Sequence, residues 1–213
     1  MQNPVVELTL TETVQSAPDT AVVGAGVQVR ASTASEAMRR NAEQMDKVIA
    51  RLRQIGIERK DIQTANFSLN AQYQYRNDGQ QPVFLGYEAS NMVSVTLRKL
   101  DKVGDALDAL VAAGANNLYG PNFSLENDRT AKAEARKLAF RQAEAKGREY
   151  ARMAGFSGLR LLEISETFAQ SGAMPVSPRA IDVTSAKAEA TTPVEPGRVG
   201  TAATVTVKYE MTR

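Results

Sequence analysis

The strongest constraint on this chain is a doubled change of hydrophobic period. Twice, strand-like alternation gives way to a long helical pattern, stops at a glycine followed by an apolar residue, and returns to alternation. Residues 5–12 and 20–31 are rich in Val and Thr, with Ala21, Val23, Ala25, Val27 and Val29 on one side of the second, so both read as strands. Pro18-Asp19 supplies the turn between them, and Gly24 and Gly26 on the other face mark a bulge or a close backbone approach. Thr33-Ala34-Ser35-Glu36 has the form of a capping box. The helix it starts carries Met38, Ala42, Met45, Ile49 and Leu52 on one face and stops at Gly56. Methionines on such a face read as core filling, with a ligand groove as the alternative.

From Asp61 the period is two again. Phe67, Leu69, Ala71, Tyr73 and Tyr75 point one way, Asn77-Asp78-Gly79 makes a turn, and the chain returns through Tyr87, Ala89, Asn91, Val93, Val95 and Leu97, so residues 61–98 form a long hairpin. Asp101 caps a short helix over 101–113, which ends at Gly114. A strand near 116–126 leads to a second long helix, 130–154, and Gly155-Phe156 repeats the stop of Gly56-Ile57. Leu162, Ile164 and Phe168 alternate next, and Val199, Thr201, Ala203, Val205, Val207 and Tyr209 alternate last. Gly56 aligns with Gly155, Ile57 with Phe156 and Ile62 with Leu161 at an offset of about 100 residues. The expected fold is α+β: one domain of two βαββ units, 5–98 and 115–211, each an antiparallel sheet covered by its long helix, joined by helix 101–113. Independent use of a common helix stop is the competing explanation of the repeat. Residues 171–197 hold four of the eight prolines among Ala, Ser and Thr and read as a flexible surface loop.

Composition narrows the chemistry. His, Cys and Trp are absent, which excludes His-based triads, thiol nucleophiles, disulfides and imidazole or thiolate metal sites. Lys+Arg 26 against Asp+Glu 24 leaves a formal charge of +2, too small for the one-signed field of a nucleic-acid binder. No stretch is long and apolar enough to span a membrane, and Met1-Gln2-Asn3-Pro4 opens without the basic and apolar regions of a secretory leader.

Two constellations remain. Lys137, Arg141, Arg148 and Arg152 form a basic stripe on the second long helix, opposite Ala139, Ala143, Tyr150 and Ala154, and are candidates for an anionic-surface contact. Glu144 sits within reach of Arg141 and Arg148, so a self-paired solvated face is the plainer reading. Tyr73, Tyr75, Phe84 and Tyr87 cluster at the hairpin end and are candidates for an oligomer interface, with cross-strand packing inside one subunit as a compatible alternative. Asp101, Asp105 and Asp108 lack the loop pattern of a calcium site. No catalytic, cofactor or metal residue is assigned.

Gly56-Ile57 with Asp61-Ile62-Gln63-Thr64 and Phe67-Ser68-Leu69, then Tyr73-x-Tyr75, Gly86-Tyr87-x-Ala89-Ser90-Asn91, Leu100-Asp101-Lys102-Val103-Gly104 and Ala113-Gly114-Ala115-Asn116, resemble the SIMPL-domain proteins. Glu134-Ala135-Arg136, Ala143-x-Ala145-Lys146, Ala154-Gly155 and Leu162-Glu163-Ile164-Ser165-Glu166 extend the resemblance over nearly the whole chain. The family includes periplasmic immunogenic and outer-membrane-associated proteins of Gram-negative bacteria. The resemblance implies export, homo-oligomerisation, a role in envelope or oxidative-stress tolerance and no established active site. Leu8-Thr9-Leu10 stands where the family has Gly-x-Gly, which leaves the pairing of the first strand open. Met1 is expected to replace a removed signal peptide; a precursor gene without an apolar leader would overturn that.

The leading expectation is a non-enzymatic, exported, self-associating scaffold or interaction module of the envelope. It works with itself and with other envelope components, in the periplasm and in association with the outer membrane, without cofactor or nucleic acid. The second reading is a binding protein for a small or lipidic ligand held between sheet and helices, with Tyr87 and Asn91 as its only pointers.

Overall fold

The computed structural model describes residues 3–75, 81–174 and 192–213, so the Asn77-Asp78-Gly79 turn and residues 175–191 of the Pro-rich segment lie outside the described residues. Along the chain the elements are β1 (Val5–Ser16), β2 (Thr20–Ala31), α1 (Ala34–Gln54), β3 (Ile62–Gln74), β4 (Val83–Leu97), α2 (Val103–Ala112), β5 (Asn117–Ser124), α3 (Arg129–Met153), β6 (Gly158–Met174) and β7 (Arg198–Thr212). They make an α+β fold with two antiparallel sheets, one of order β1-β7-β6 and one of order β3-β4-β2-β5.

Strand pairing does not follow the two halves of the sequence. β1 pairs with β7 in unbroken register from Val5↔Glu210 to Ser16↔Val199, and β5 pairs with β2. One compact unit therefore holds β1, α3, β6 and β7, and the other holds β2, α1, β3, β4, α2 and β5. The match of β1 to β7 has a simple cause: Val6, Leu8 and Leu10 stand opposite Tyr209, Val207 and Val205, and all six pack in the core beneath α3. On the opposite face Thr9 bonds Thr206 at 3.0 Å and Thr11 bonds Thr204 at 2.8 Å, a cross-strand hydroxyl ladder that holds the same register.

All three α-helices stop as the glycines predict. Gly56, Gly114 and Gly155 have φ of 91°, 103° and 81°, the left-handed region that glycine enters without strain. The amides of Ile57, Ala115 and Phe156 then reach back to the carbonyls of Leu52, Leu110 and Ala151 at 3.0, 3.0 and 2.8 Å. At the start of α1 only half of the capping box forms. The Thr33 hydroxyl accepts from the Glu36 amide at 3.3 Å. The Glu36 carboxylate turns instead to Arg39 at 2.8 Å and Arg40 at 2.5 Å, which together hold its pKa down at about 2.

The buried face of α1 is rotated by one residue from the expected stripe. Ala37, Asn41, Met45, Val48 and Leu52 are buried, while Met38 and Ala42 are exposed. The stripe drawn from apolar residues alone skipped Asn41, which is fully buried because its amide nitrogen donates to the carbonyls of Val27 and Ala89 at 2.7 and 3.1 Å. α1 thereby clamps β2 to β4 over a core of Val23, Ala25, Val27, Val93, Val95, Val48 and Leu52. Gly24 sits where β5 crosses closely: a Cβ there would stand 3.3 Å from that of Tyr119, beside a register shift between Val22 and Gly24. Asn116 extends β5 with its side chain, accepting from the Gln28 amide and donating to the Gln28 carbonyl, both at 2.8 Å.

The short helix departs from its expected cap. Asp101 lies in a preceding 3-10 turn, and no side chain caps α2. Asp108 of α2 instead accepts from the amide and hydroxyl of Thr192 at 3.2 and 2.7 Å, and Val194 packs on the α1/α2 core. At the other end of the segment expected as a loop, residues 171–174 continue β6.

α3 buries Ala131, Ala135, Ala139, Ala143, Gly147 and Ala151, one small residue every fourth position. This stripe, shifted from the expected one, leaves Tyr150 and Ala154 exposed. Small residues let the helix backbone approach β1 and β7 closely, and at Gly147 a Cβ would meet Leu159 at 2.9 Å and Tyr209 at 3.2 Å. Ala139→Leu should therefore destabilise the protein by about 1–3 kcal/mol through overpacking, whereas Leu at exposed Ala145 should change stability by less than about 0.5 kcal/mol, both read by urea unfolding.

Tyr209 lies under this helix with its hydroxyl buried and without a hydrogen-bond partner among the described residues. Burial raises its pKa above the ordinary phenol value, with the Glu144 charge adding to the shift. A raised folded pKa means that its contribution is intact below about pH 10 and is lost as pH climbs through the folded value. Tyr209→Phe should leave neutral-pH stability unchanged or raised by up to about 1 kcal/mol and should remove an up-shifted phenol from the ultraviolet titration.

Candidate functional site

The hairpin of β3 and β4 carries the first candidate surface. β2 stays paired with β4 only as far as Ala31↔Tyr87, whereas β3 and β4 continue to Gln74↔Val83, so this end of the hairpin extends beyond the strand beside it. On the extension Tyr73 and Phe84 meet edge-to-face with ring centroids 5.5 Å apart, and Phe84 and Tyr87 do so at 5.4 Å. The structure therefore brings three of the four predicted interface aromatics into one stack. Tyr75 lies outside the stack and is 77% exposed. Tyr73, Val83, Phe84 and Leu85 are also exposed, so cross-strand packing covers the rings only in part. At the base, Arg30 donates to Glu88 at 2.6 Å and lowers the carboxyl pKa.

Of the basic stripe on α3, Lys137, Arg141, Arg148 and Arg152 are all exposed. It is partly self-paired. Arg148 donates twice to one Glu144 oxygen, at 2.7 and 3.1 Å, and Arg152 reaches the Arg148 carbonyl at 3.4 Å. Lys137 makes only a loose contact, 3.9 Å from Glu134.

Sequence reasoning missed a cleft of 460 Å³ between α3 and β6, lined by Ala133, Arg136, Lys137, Phe140, Ile164, Ser165, Glu166 and Val205. Arg136 spans its mouth and grips Glu166 with Nε and Nη2, at 2.5 and 3.0 Å. The same guanidinium lies 5.2 Å from the centre of the Phe168 ring. One signal was available: Phe140 follows Ala139 on a helix whose sheet-facing positions are all Ala or Gly, so it must project to one side of the contact.

A second cleft, of 540 Å³, lies by the end of β4 and the start of α2, and its lining includes two ion pairs, Arg98 with Asp61 at 2.6 Å and Lys102 with Asp105 at 3.2 Å. Neither cleft includes Tyr87 or Asn91. Asn91 lies on the helix-facing side of β4 with a buried side-chain oxygen that has no partner among the described residues. No helix of the described chain is long and apolar enough to cross a membrane.

Residues 6–209 match the model of the SIMPL family, described as a protein of unknown function (DUF541). The 26 kDa periplasmic immunogenic protein of Brucella melitensis is 36% identical over 167 residues, 76% of this chain and 66% of that protein. The uncharacterized protein YggE of Escherichia coli K12 is 33% identical over 141 residues, covering 66% and 56%. The same-named protein of Edwardsiella ictaluri is 30% identical over 142 residues, covering 67% and 59%. The aligned stretch thus spans less than two thirds of each relative's own length. The chain belongs to the SIMPL family.

Because Arg148 and Glu144 are both largely solvated, a double-mutant cycle with Ala at each position should give a coupling of only about 0.3–0.5 kcal/mol, falling toward zero in 1 M salt. A coupling of several kcal/mol would mean that the stripe is buried against another surface in solution.

Proposed function

We propose that this SIMPL-family chain is a non-enzymatic periplasmic protein that self-associates and serves as a scaffold or interaction module of the cell envelope. The observation that carries the reading is the aromatic end of the β3/β4 hairpin, which presents exposed Tyr73, Tyr75 and Phe84 beyond the reach of β2. Aromatic side chains offer large contact areas with few rotors to freeze, which is why they are enriched where proteins meet. The periplasmic setting is supported by the Brucella relative, whose name places that protein there.

The absence of imidazole and thiol supports a role without chemistry of its own. Outer-membrane association and oxidative-stress tolerance belong to the same reading through the family resemblance. A protective role would then be indirect, apart from sacrificial oxidation of the seven methionines, of which Met38 and Met153 are exposed.

Light scattering at micromolar concentration should give a mass that is a multiple of 23.0 kDa. Tyr73→Ser with Tyr75→Ser should lower that mass while leaving far-ultraviolet circular dichroism unchanged. A wild-type protein that stays monomeric throughout the micromolar range would overturn the proposal.

A further inference from the structure

We infer that the cleft between α3 and β6 binds a single-chain amphiphile with one anionic headgroup, such as a fatty-acid anion. The inference is independent of self-association, because every lining residue comes from the unit of β1, α3, β6 and β7.

The shape comes from the small-residue stripe. α3 settles over β7 and β1, and the helix-facing side of β6 is left with little cover: Ile164 stands opposite buried Val207 yet is 52% exposed. Phe140 closes one side, Ala133 keeps the helix side low, and Val205 forms a buried floor. At 460 Å³ the space falls within the range of about 300–1,000 Å³ typical of small-ligand sites. Its apolar surfaces face one another across a groove, which suits a chain more than a flat ring system.

The charge selects the headgroup. The lining carries two cations, Arg136 and Lys137, and one carboxylate, Glu166. Arg136 already satisfies Glu166 at two points. Lys137 is the surplus charge, since its Glu134 contact is 3.9 Å and both groups are about half exposed. A carboxylate or phosphate on the end of an apolar chain lying along Phe140 and Ile164 would meet that ammonium. Lys132 is held by Asp128 at 2.8 Å and is not needed. A protein segment seated here would have to cover the Arg136–Glu166 pair and strip its water, an unfavourable exchange for an ion pair. An acyl chain can lie beneath the pair and leave it wet.

The test is a fluorescence titration of the full chain with 11-(dansylamino)undecanoate, followed by displacement with decanoate, dodecanoate, lauroyl lysophosphatidylglycerol and uncharged decanol. Saturable binding is expected, with dodecanoate displacing the probe more tightly than decanoate by about threefold or more per added methylene. Ile164→Arg from the sheet side and Ala133→Phe from the helix side should each weaken binding about tenfold or more, with circular dichroism and melting confirming the fold. Lys137→Gln should weaken dodecanoate but not decanol. Displacement by the carboxylate, the lysophosphate or both supports the inference and identifies the headgroup source.

Absence of saturable binding up to about 100 µM, undiminished binding in both folded cleft variants, or equal loss of dodecanoate and decanol in Lys137→Gln would each overturn it. A mass in light scattering that Ile164→Arg abolishes, without probe binding by the wild type, would assign the cleft to a second copy and likewise overturn it.

Discussion

The spacing between α3 and its sheet governs the unit built on β1, β6 and β7. Ala131, Ala135, Ala139, Ala143, Gly147 and Ala151 present almost no side chain to the strands, so close packing has to be achieved by backbone approach. The sheet supplies the bulk in return: Leu8, Leu10, Val205, Val207 and Tyr209 fill the layer that the helix leaves thin. A larger residue at any one stripe position would lift the helix from all of them, because the positions lie on a single line. The price of so narrow a contact is coverage. A helix seated close over two strands leaves the third exposed, and Ile164 and Leu161 are the result.

The unit of α1 and α2 solves the same problem with polar ties. Asn41 is fully buried and donates across to two strands, which locates α1 over the β2/β4 pair more narrowly than apolar contacts alone would. Asn116 continues the β5 ladder through its amide, and Asp108 anchors Thr192 to α2. These groups act through directed hydrogen bonds, although the Asn41 side-chain oxygen is buried without a partner among the described residues, whereas the alanine stripe of α3 selects distance and says little about rotation. There the Arg136–Glu166 pair, joining helix to β6, adds the missing directional link.

Local signals were the legible part of the chain. Gly56, Gly114 and Gly155 end their helices because a positive φ is a property of one residue and its immediate neighbours. The alternation of Ala21, Val23, Ala25 and Val27 correctly marks the buried face of β2. Faces are set by pattern, but partners are set by three-dimensional fit, so nothing in Val6, Leu8 and Leu10 distinguished a neighbour in sequence from β7, some 200 residues away. Asn41 escaped for a related reason: its burial depends on the carbonyls of Val27 and Ala89, which no window around it contains. The aromatic stack lay within one hairpin and could be anticipated, whereas the α3/β6 cleft depends on an uncovered strand that appears only once the sheet order is known.

The two units share a geometry that decides how their surfaces can be used. Each leaves an outer strand of a long hairpin largely uncovered by its helix, β3 in one and β6 in the other. A bare outer strand ordinarily invites another chain to extend the ladder. Here β3 carries an extra residue at Ala65, and β6 carries extra residues at Leu162 and Gly172, where the register shifts against β4 and β7. Bulges bend and twist an edge away from the straight run of amides that a new strand would need. At these two edges the bulges disfavour extension of the backbone ladder, and the side-chain faces beside them differ: an aromatic one with phenol hydroxyls on the β3/β4 extension, and an aliphatic one beside the Arg136–Glu166 ion pair at β6. The two faces are thus chemically distinct, and each lies beside an outer strand that its helix leaves largely uncovered, α1 sitting over β2 and β4 and α3 over β7 and β1.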